Sequence, residues 1–434
     1  MASTGSTDVY DFIGIGAGPF NLGLACLTDP IDDLDGVFLE ARDELAWHPG
    51  MLLDDATLQV PFLADLVTMA DPSSRYSFLS YLKDTGNLYP FYIRESFYPL
   101  RREYDDYCRW AADRLDSVRF GQAVTSVEHV ADCKGPAYVV TTATGEEFRG
   151  RRLVLGVGTS PYVPECLEGM GIHSADYLQH KERLQGLDSV TIVGSGQSAA
   201  EIYQDLLAES PDHGYRLYWL TRSPRFFPME YTKLTLEMTS PEYTSYFHEL
   251  PDLTRARLLR EQRSLYKGIS GDLVDNIFDL HYQLRVNGQG PHTTLVTNTA
   301  VTGATRDAAA YHLDLHHEET DERFGLRTEG LVLATGYRSQ APAFLEPIRD
   351  PITWDDQGRY AVSPTYTIDH DGREIYVQNA EEHTHGLVAP DLGMGAYRNS
   401  VLIASMLGRE VYPIEKQIAV QSFGVPDHLK EVAR

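Results

Sequence analysis

Two stretches of the chain share one pattern of apolar and small residues. YDFIGI, beginning at Tyr10, is an apolar and β-branched run that leads into a glycine-rich turn and then into LGLACL, whose spacing suits a helix. SVTIV, beginning at Ser189, leads in the same way into GSGQSAAEIYQDLLAE. The pattern therefore predicts a strand, a tight turn and a helix at two places, about one domain apart along the chain.

Two further apolar runs divide the chain into domains. LVLGVGTSPYVP (Leu153 to Pro164) and GLVLATGYRS (Gly330 to Ser339) each predict a buried strand followed by a turn. We predict an α/β fold with two Rossmann-like dinucleotide-binding domains, the first formed by residues 8–165 and 326–434 and the second by residues 166–325. Residues 225–288 fit neither nucleotide pattern and predict a small, mainly helical substrate-binding subdomain nested in the second domain.

The first glycine-rich turn reads GAGPFN and fits the dinucleotide fingerprint, with asparagine in place of the third glycine. Gly16 permits the tight turn, and Gly18 lets the backbone approach a pyrophosphate at the helix N-terminus. Asn21 either loosens the helix packing or adds a bond to the cofactor. Glu40 lies 24 residues beyond Gly16, where a carboxylate bonds the ribose hydroxyls. The predicted dinucleotide contacts here are Gly14, Gly16, Gly18, Pro19, Asn21 and Glu40.

The second turn, GSGQSA, is the same fingerprint with alanine as its third small residue. The next strand, RLYWLTR, ends at Arg222 and not at a carboxylate, and Arg225 follows. A guanidinium pairs well with a 2′-phosphate, so the sequence favours NADPH over NADH. The alternative is that both arginines are solvated loop residues. The predicted contacts of this site are Gly194, Gly196, Gln197, Ser198, Arg222 and Arg225.

Charge and hydropathy exclude some partners. The formal net charge of -26 argues against nucleic acid, which requires a basic surface. The same charge suits a small cationic substrate, although it also serves solubility alone. No stretch approaches the roughly 20 consecutive apolar residues of a membrane helix, and the first residues have no secretory pattern. We therefore expect a cytoplasmic protein without a membrane partner, and we expect it to form a homo-oligomer, a dimer or a tetramer.

The cysteines restrict the electron acceptor. They are scattered and form no CxxC pair, which predicts neither a metal cage nor a disulfide framework, and supplies no redox pair for a disulfide reductase. Two nucleotide sites imply that a nicotinamide hydride passes to a flavin, and O₂ is then the remaining acceptor. The four residues are Cys26, Cys108, Cys133 and Cys166.

Five segments together resemble one family closely. The segments are DFIGIGAGPFNLGLA, WHPGM (Trp47 to Met51), LQVPFLADLVT (Leu58 to Thr68), ATGYR (Ala334 to Arg338) and HTHG (His383 to Gly386). They resemble the N-hydroxylating flavin monooxygenases of siderophore biosynthesis, the lysine and ornithine N-monooxygenases. The likeness runs from about residue 10 to about residue 410. WHPGM together with the LQVPFLADL segment is much more specific than either glycine fingerprint.

The resemblance implies a reaction. FAD reduced by NADPH reacts with O₂ to form a C4a-hydroperoxide, NADP stays bound to protect it, and a neutral primary amine attacks its distal oxygen. Trp47, His48 and Gln59 match family positions that line the flavin, although each also has a purely structural reading. Ser270 stands where ornithine enzymes carry an asparagine that touches NADP and flavin. Gln59 and Ser270 are thus the candidate catalytic residues, and the cofactor contacts also include Thr335 and Gly336.

The substrate is inferred from what this chain lacks. Family members that act on amino acids carry a lysine that pairs with the substrate carboxylate, and here Ala64 occupies that position. They also carry a serine after HTHG, where Gly393 stands here. A buried carboxylate without a partner is costly, so the sequence favours a substrate that has none. The resemblance includes a branch acting on cadaverine or putrescine, whose distal ammonium needs an acid. The candidate acids are Glu237, Glu381 and Asp391, and Leu236 is a further candidate substrate contact.

Two alternatives remain open. The chain is a lysine or ornithine N-monooxygenase if its carboxylate anchor has moved, for example to Arg94 or Arg101. It is an uncoupled NADPH oxidase or a redox sensor if it binds both nucleotides and hydroxylates nothing. The choice between cadaverine and putrescine leaves no motif, because one methylene changes binding by only about 1–3 kcal/mol.

Overall fold

The computed structural model describes residues 9–132, 135–290 and 292–430. Cys133 and the first eight residues, on which parts of the sequence analysis rest, lie outside them. The strands are β1 (Val9–Tyr10), β2 (Phe12–Ile15), β3 (Gly36–Leu39), β4 (Val118–Arg119), β5 (Val124–Asp132), β6 (Gly135–Thr142), β7 (Glu147–Gly150), β8 (Leu153–Leu155), β9 (Ser160–Pro161), β10 (Ile172–His173), β11 (Ser189–Val193), β12 (Arg216–Leu220), β13 (Thr293–Val296), β14 (Thr299–Arg306), β15 (Tyr311–His317), β16 (Glu322–Thr328), β17 (Gly330–Leu333), β18 (Tyr337–Arg338) and β19 (Ile375–Val377).

The helices follow the same chain order. None of those described is long and apolar enough to cross a membrane. They are α1 (Pro19–Thr28), α2 (Phe78–Asp84), α3 (Leu88–Arg94), α4 (Arg101–Ala112), α5 (Tyr177–Gln185), α6 (Gln197–His213), α7 (Lys233–Leu236), α8 (Pro241–Glu249), α9 (Asp252–Glu261), α10 (Gly271–Val286), α11 (Glu382–His385), α12 (Gly395–Leu407) and α13 (Asp427–Lys430).

The first unit is built on a parallel sheet with the strand order β19-β8-β2-β3-β4. All four side chains of β2 are buried, and Phe12 meets Phe38 of β3 edge to face at 5.4 Å between ring centroids. Helix α1 follows β2 and is buried from Asn21 to Thr28. Because β19 comes from late in the chain and β2 from its beginning, this unit combines two distant segments.

The second unit is built on another parallel sheet, with the order β10-β17-β11-β12-β13. Helix α6 packs on it through apolar residues such as Ile202 and Leu206. The two parallel sheets with their helices confirm the predicted α/β, Rossmann-like class. The predicted boundary at residue 325 is wrong, because β17 pairs with β11 from Val190 and Gly330 onwards and so belongs to the second unit.

The segment 225–288 is mainly helical, but the structure corrects its description as one nested body. Helix α10 buries Leu273 and Ile277 in the core of the second unit. Helix α8 instead buries Phe247 against Leu387 and Val388, which follow β19. The apolar faces of these helices point to different cores, so the segment is divided between its neighbours.

Candidate functional site

A cleft of about 2600 Å³ runs between the two units. Both glycine-rich turns open into it, together with the segment around Trp47 and the loop after β17. The lining of the cleft also includes Tyr231 and Asp391. The cleft is therefore large enough for two nucleotides and a small molecule.

The first turn forms a cradle at the N-terminus of α1. Gly16 has a left-handed φ of 89°, and a Cβ there would lie 2.5 Å from the carbonyl oxygen of Gly156. Gly18 precedes α1, and a Cβ there would meet no atom within 4 Å. Glu40 Oε2 accepts a hydrogen bond of 2.8 Å from the Ala17 N–H. The free space at Gly18 and the helix N-terminus fit a dinucleotide pyrophosphate.

Two residues of the predicted first site stabilise the fold around the turn. Asn21 Nδ2 donates to the Gly16 carbonyl at 2.8 Å, and its Oδ1 accepts from Gln378 Nε2 at 2.8 Å. The side-chain amide thus fastens the turn, and because Asn21 also lines the cleft, its bond to a cofactor remains a prediction. Gly14 does not line the cleft, because it faces the Phe38 ring, which a Cβ would approach to 2.3 Å. Its prediction as a cofactor contact is wrong, since close strand packing requires the glycine.

Trp47, His48 and Gln59 all line the cleft. His48 has a left-handed φ of 50°, and burial, followed by the charges of Arg101 and Arg42, lowers the pKa of its imidazole to about 4. The ring is therefore neutral at neutral pH. Gln59 Nε2 is buried and has no hydrogen-bond partner in the described part of the chain. An unsatisfied buried donor of this kind suits an acceptor atom on a bound ring system, such as flavin.

The second turn forms a similar cradle at α6. Gly194 has φ of 143°, and a Cβ there would lie 2.2 Å from the Ala334 carbonyl oxygen. At Gly196 the nearest atom to a Cβ would be 3.8 Å away, so space is open. Gln197 and Ser198 line the cleft at the start of α6. This site fits a second dinucleotide, as its sequence predicts.

Ser270 lies beside this second cradle but does not line the cleft. Its backbone N–H donates to Gln197 Oε1 at 2.9 Å. The structure therefore brings Ser270 to the second fingerprint through its backbone. A direct contact between its hydroxyl and both cofactors remains a prediction.

The two arginines after β12 lie in different places. Arg222 lines the cleft, whereas the Arg225 guanidinium stacks on the Phe227 ring at 4.4 Å and lies outside the lining. The structure therefore contradicts the predicted contact of Arg225 with the 2′-phosphate, because its guanidinium stacks on an aromatic ring instead. Arg263 and Lys267, between α9 and α10, also line the cleft. Sequence reasoning missed these two cations because no fingerprint strand precedes them.

Thr335 and Gly336 line the cleft between the two cradles. The Thr335 hydroxyl donates to the Tyr162 carbonyl, and the Gly336 carbonyl accepts from the Tyr162 N–H at 2.9 Å. Gly336 has a left-handed φ of 89°, and no atom lies within 4 Å of a Cβ built on it. This loop between β17 and β18 is thus hydrogen-bonded to Tyr162 and leaves open space at Gly336.

The structure brings Ala64, Gly393 and Asp391 together. A Cβ built on Gly393 would lie 3.8 Å from the Ala64 Cβ and 3.0 Å from Asp391 Oδ1. The Gly393 N–H donates to that same oxygen at 2.6 Å. Asp391 lines the cleft, and burial raises the pKa of its carboxyl, which the Gly393 N–H and Arg398 partly offset. Ala64 and Gly393 are thus neighbours beside the Asp391 carboxyl, and of these three residues only Asp391 lines the cleft. A direct contact of Ala64 or Gly393 with the substrate remains a prediction.

The other two acids are occupied elsewhere. Glu381 is fully buried and pairs with Arg398 at 2.9 Å. Glu237 accepts from the Val420 and Gln421 N–H groups at 2.8 and 3.0 Å and does not line the cleft. The structure therefore contradicts a contact of Glu381 or Glu237 with a distal ammonium, and the same contact by Asp391 remains a prediction. Leu236 does line the cleft, as predicted.

The cations that could have replaced the lost anchor are also engaged. Arg101 lines the cleft, but it forms a double hydrogen bond with Glu201 at 2.9 and 2.7 Å. Arg94 donates to the Tyr98 carbonyl at 2.7 Å and lies outside the cleft lining. The structure gives a substrate carboxylate no free partner at either place.

Comparison with known proteins identifies the family. The sequence model described as L-lysine 6-monooxygenase/L-ornithine 5-monooxygenase matches residues 8–339. The chain belongs to this family. It is 48% identical over 424 residues to the putrescine N-hydroxylase of Shewanella oneidensis, covering 96% of this chain and 84% of that protein.

Solved structures agree with this assignment. The structure of DfoA bound to FAD, the cadaverine monooxygenase of the desferrioxamine pathway in Erwinia amylovora, is 50% identical, covers 97% of this chain and 100% of that one, and gives a TM-score of 0.94. The ornithine N-hydroxylase of Kutzneria with reduced FAD, NADP⁺ and L-ornithine is 29% identical, covers 92% and 99%, and gives 0.83. The chain is thus an FAD- and NADPH-dependent N-hydroxylating monooxygenase, with O₂ and a small molecule as substrates.

Proposed function

We propose that this enzyme hydroxylates one primary amine of a short aliphatic diamine, cadaverine or putrescine, for the synthesis of a hydroxamate siderophore. The observation that carries the proposal is the Asp391 carboxylate beside Ala64 and Gly393. A diamine has a second ammonium that such a carboxylate binds. An amino acid would instead present its own carboxylate to Asp391, and like charges repel strongly in a partly dry cleft. The similarity to the putrescine and cadaverine enzymes supports the same substrate class.

In this proposal, separate residues bind the two nucleotides and the substrate. Bound FAD supplies activated oxygen, and NADPH supplies the hydride that reduces the flavin. Gly18 and Glu40 hold the first nucleotide, and Gly196 and Arg222 hold the second. Gln59 offers its free N–H to the flavin end, where the neutral His48 adds no charge. Asp391 holds the distal ammonium, so that the other nitrogen, made neutral by desolvation, is directed toward the flavin.

Product analysis tests this function directly. Cadaverine, putrescine, lysine and ornithine should be compared by the hydroxylamine formed, since NADPH loss alone also counts uncoupled turnover. A diamine should give a mono-N-hydroxylated product with kcat/KM at least about tenfold above either amino acid. Efficient hydroxylation of lysine or ornithine with inert diamines would contradict the proposal. Peroxide without hydroxylamine from every amine would instead indicate an uncoupled oxidase.

A variant connects this result to the carboxylate. Asp391→Asn keeps the shape of the side chain but removes the charge, so KM for the diamine should rise by about tenfold or more. Flavin reduction by NADPH in the absence of amine should stay unchanged. Asp54→Asn, at a fully exposed acid, is the matched control and should alter neither quantity. An unchanged KM in Asp391→Asn would remove the role of this residue.

The proposal includes assembly and location. We propose a homo-oligomer, a dimer or a tetramer, because Phe278, Tyr282 and Val286 form an exposed apolar stripe along α10.

We also propose that the enzyme works in the cytoplasm. The free thiols of the described chain, Cys26, Cys108 and Cys166, agree with a reducing compartment.

A further inference from the structure

One wall of the substrate end has little packing of its own. Helix α7 has four residues and none of their side chains is buried. Nevertheless Leu236 of α7 lines the cleft, as do Tyr231 before it and Thr239 after it. Burial, followed by the charge of Asp391, raises the pKa of the Tyr231 phenol, and both residues line the cleft. An isolated helix this short is unstable in water, so contacts from elsewhere must hold it.

These contacts come from residues 418–424, which we call the 418–424 strap. Glu242 Oε1, at the start of α8, accepts from the Ile418 and Ala419 N–H groups at 2.5 and 2.8 Å. Glu237, directly after α7, accepts from the next two N–H groups, those of Val420 and Gln421. Two carboxylates thus bind four consecutive backbone donors. Hydrogen bonds to a charged acceptor are stronger than neutral ones.

One further contact joins the strap to α7, and another joins it to α8. Gln421 Nε2 donates to the Leu234 carbonyl of α7. The Phe423 ring meets Tyr243 of α8 edge to face at 5.0 Å. The strap therefore touches α7 by its side chains as well as its backbone, and it anchors α7 to α8, which is itself packed in a core. The strap thus adds polar and aromatic contacts to a helix whose own four side chains are not buried.

We propose that the 418–424 strap, held by Glu237 and Glu242, is a positioning device. It keeps residues 231–239 in place in the cleft wall that also includes Asp391, and so completes the amine end of the cleft. Glu237 is then a positioning residue that acts through α7 and has no contact with the substrate. This role rests on the proposed place of the amine beside Asp391, whether or not that amine is a diamine.

Glu237→Ala and Phe423→Ala interrupt the strap at separate points. In each variant KM for the best amine of the unaltered enzyme should rise about tenfold, because a loose wall no longer encloses the substrate. Flavin reduction by NADPH without amine should change less than about twofold, since the strap lies outside both cradles. Glu237→Gln retains one acceptor oxygen and should recover part of the lost affinity.

Hydrogen exchange of the enzyme without amine supplies a readout that is independent of activity. Both variants should exchange faster at residues 231–239 and at the strap, while β14 to β16 stay unchanged. Glu249→Ala is the matched control, because Glu249 ends α8 and has no bond to the strap among the described residues. It should leave KM and exchange unaltered.

The proposal is overturned if the strap exchanges faster while residues 231–239 and KM do not change. It is also overturned if flavin reduction falls in parallel with amine affinity, because the damage would then reach the nucleotide sites. If the variants behave as expected but the preferred amine is an amino acid, the strap stands and only the diamine proposal fails.

Discussion

The selectivity proposed for the amine end depends on the sign of one charge at one place. A lysine at position 64 would place a cation near Asp391, whereas Ala64 leaves the Asp391 carboxyl without a cation at that position. A tenfold preference requires only about 1.4 kcal/mol of transition-state discrimination. One charge-assisted hydrogen bond supplies that amount. The absence of a cation at position 64, beside this carboxyl, is therefore large enough in free energy to account for the proposed substrate class.

The preference for NADPH over NADH is predicted to depend on another single residue, Arg222. Arg222→Ala removes the guanidinium that faces the cleft, so the KM for NADPH should rise about tenfold or more while use of NADH stays nearly constant. Rates of flavin reduction with each coenzyme measure this. Arg225→Ala is the matched control, because its guanidinium stacks on Phe227 outside the cleft, and it should affect neither coenzyme. An equal loss with NADPH and NADH in Arg222→Ala would remove the 2′-phosphate role.

At the scale of elements, the two strand–turn–helix units show that glycines of one fingerprint have different tasks. Gly16 and Gly194 adopt left-handed φ values and lie against carbonyl oxygens of the neighbouring strand ends. Gly18 and Gly196 have ordinary φ values and leave open space. The first glycine of each pair is thus required by the fold, and the second by the ligand.

This difference predicts separable variants. Gly18→Val should fold but purify colourless, because its side chain fills the first cradle. Gly196→Val should purify yellow and resist reduction by NADPH. Flavin absorbance per protein and thermal unfolding of the cofactor-free form measure both effects. Gly16→Val is the contrasting control and should be unstable, since its Cβ would meet the Gly156 carbonyl. If the two cradle variants lose the opposite cofactors, the assignment of the two halves is reversed.

The same elements show why part of the structure follows from sequence and part does not. The two glycine units were predictable because strand, turn and helix are adjacent in the chain. The GLVL segment of β17 predicts a buried strand, but no local feature of the sequence indicates which sheet it joins. In the structure it pairs with β11 in the sheet of the second unit. Likewise, the partner of Arg225 is an aromatic ring, and the partners of Glu237 are N–H groups about 180 residues away. Such partners are set by tertiary contacts that leave no periodic signal.

At the scale of the whole molecule, catalysis requires the two cradles to face each other, and the interface between the units is well packed. Met51 and Leu53 of the first unit join the core of the second. A Cβ on Gly50 would lie 1.8 Å from the Ala175 carbonyl oxygen, so the backbones touch there. Close beside this contact, Arg101 of α4 pairs with Glu201 of α6. Packing and a charge pair thus fix the same geometry.

The Arg101–Glu201 pair should stabilise this arrangement measurably. Its side chains are only 12% and 6% exposed, and Glu201 also accepts from Gln197 in the second cradle. Glu201→Gln leaves the buried Arg101 charge uncompensated, which should lower the free energy of unfolding by about 3 kcal/mol. Lys181→Met is the matched control, because its bond to Asp205 of α6 lies within one unit and is more exposed. It should cost about 1 kcal/mol or less.

A double-mutant cycle decides whether the two charges act as a pair. Arg101→Met combined with Glu201→Gln removes both charges, so the double variant should be more stable than the sum of the single effects predicts, by about 1 kcal/mol or more. Denaturant unfolding of the four proteins gives this coupling energy. Flavin reduction at saturating NADPH should fall most in the single variants, where an unpaired charge disturbs the interface beside Gln197. Additive stabilities would show that Arg101 and Glu201 contribute independently, and the orientation of the two cradles would then rest on the apolar contacts alone.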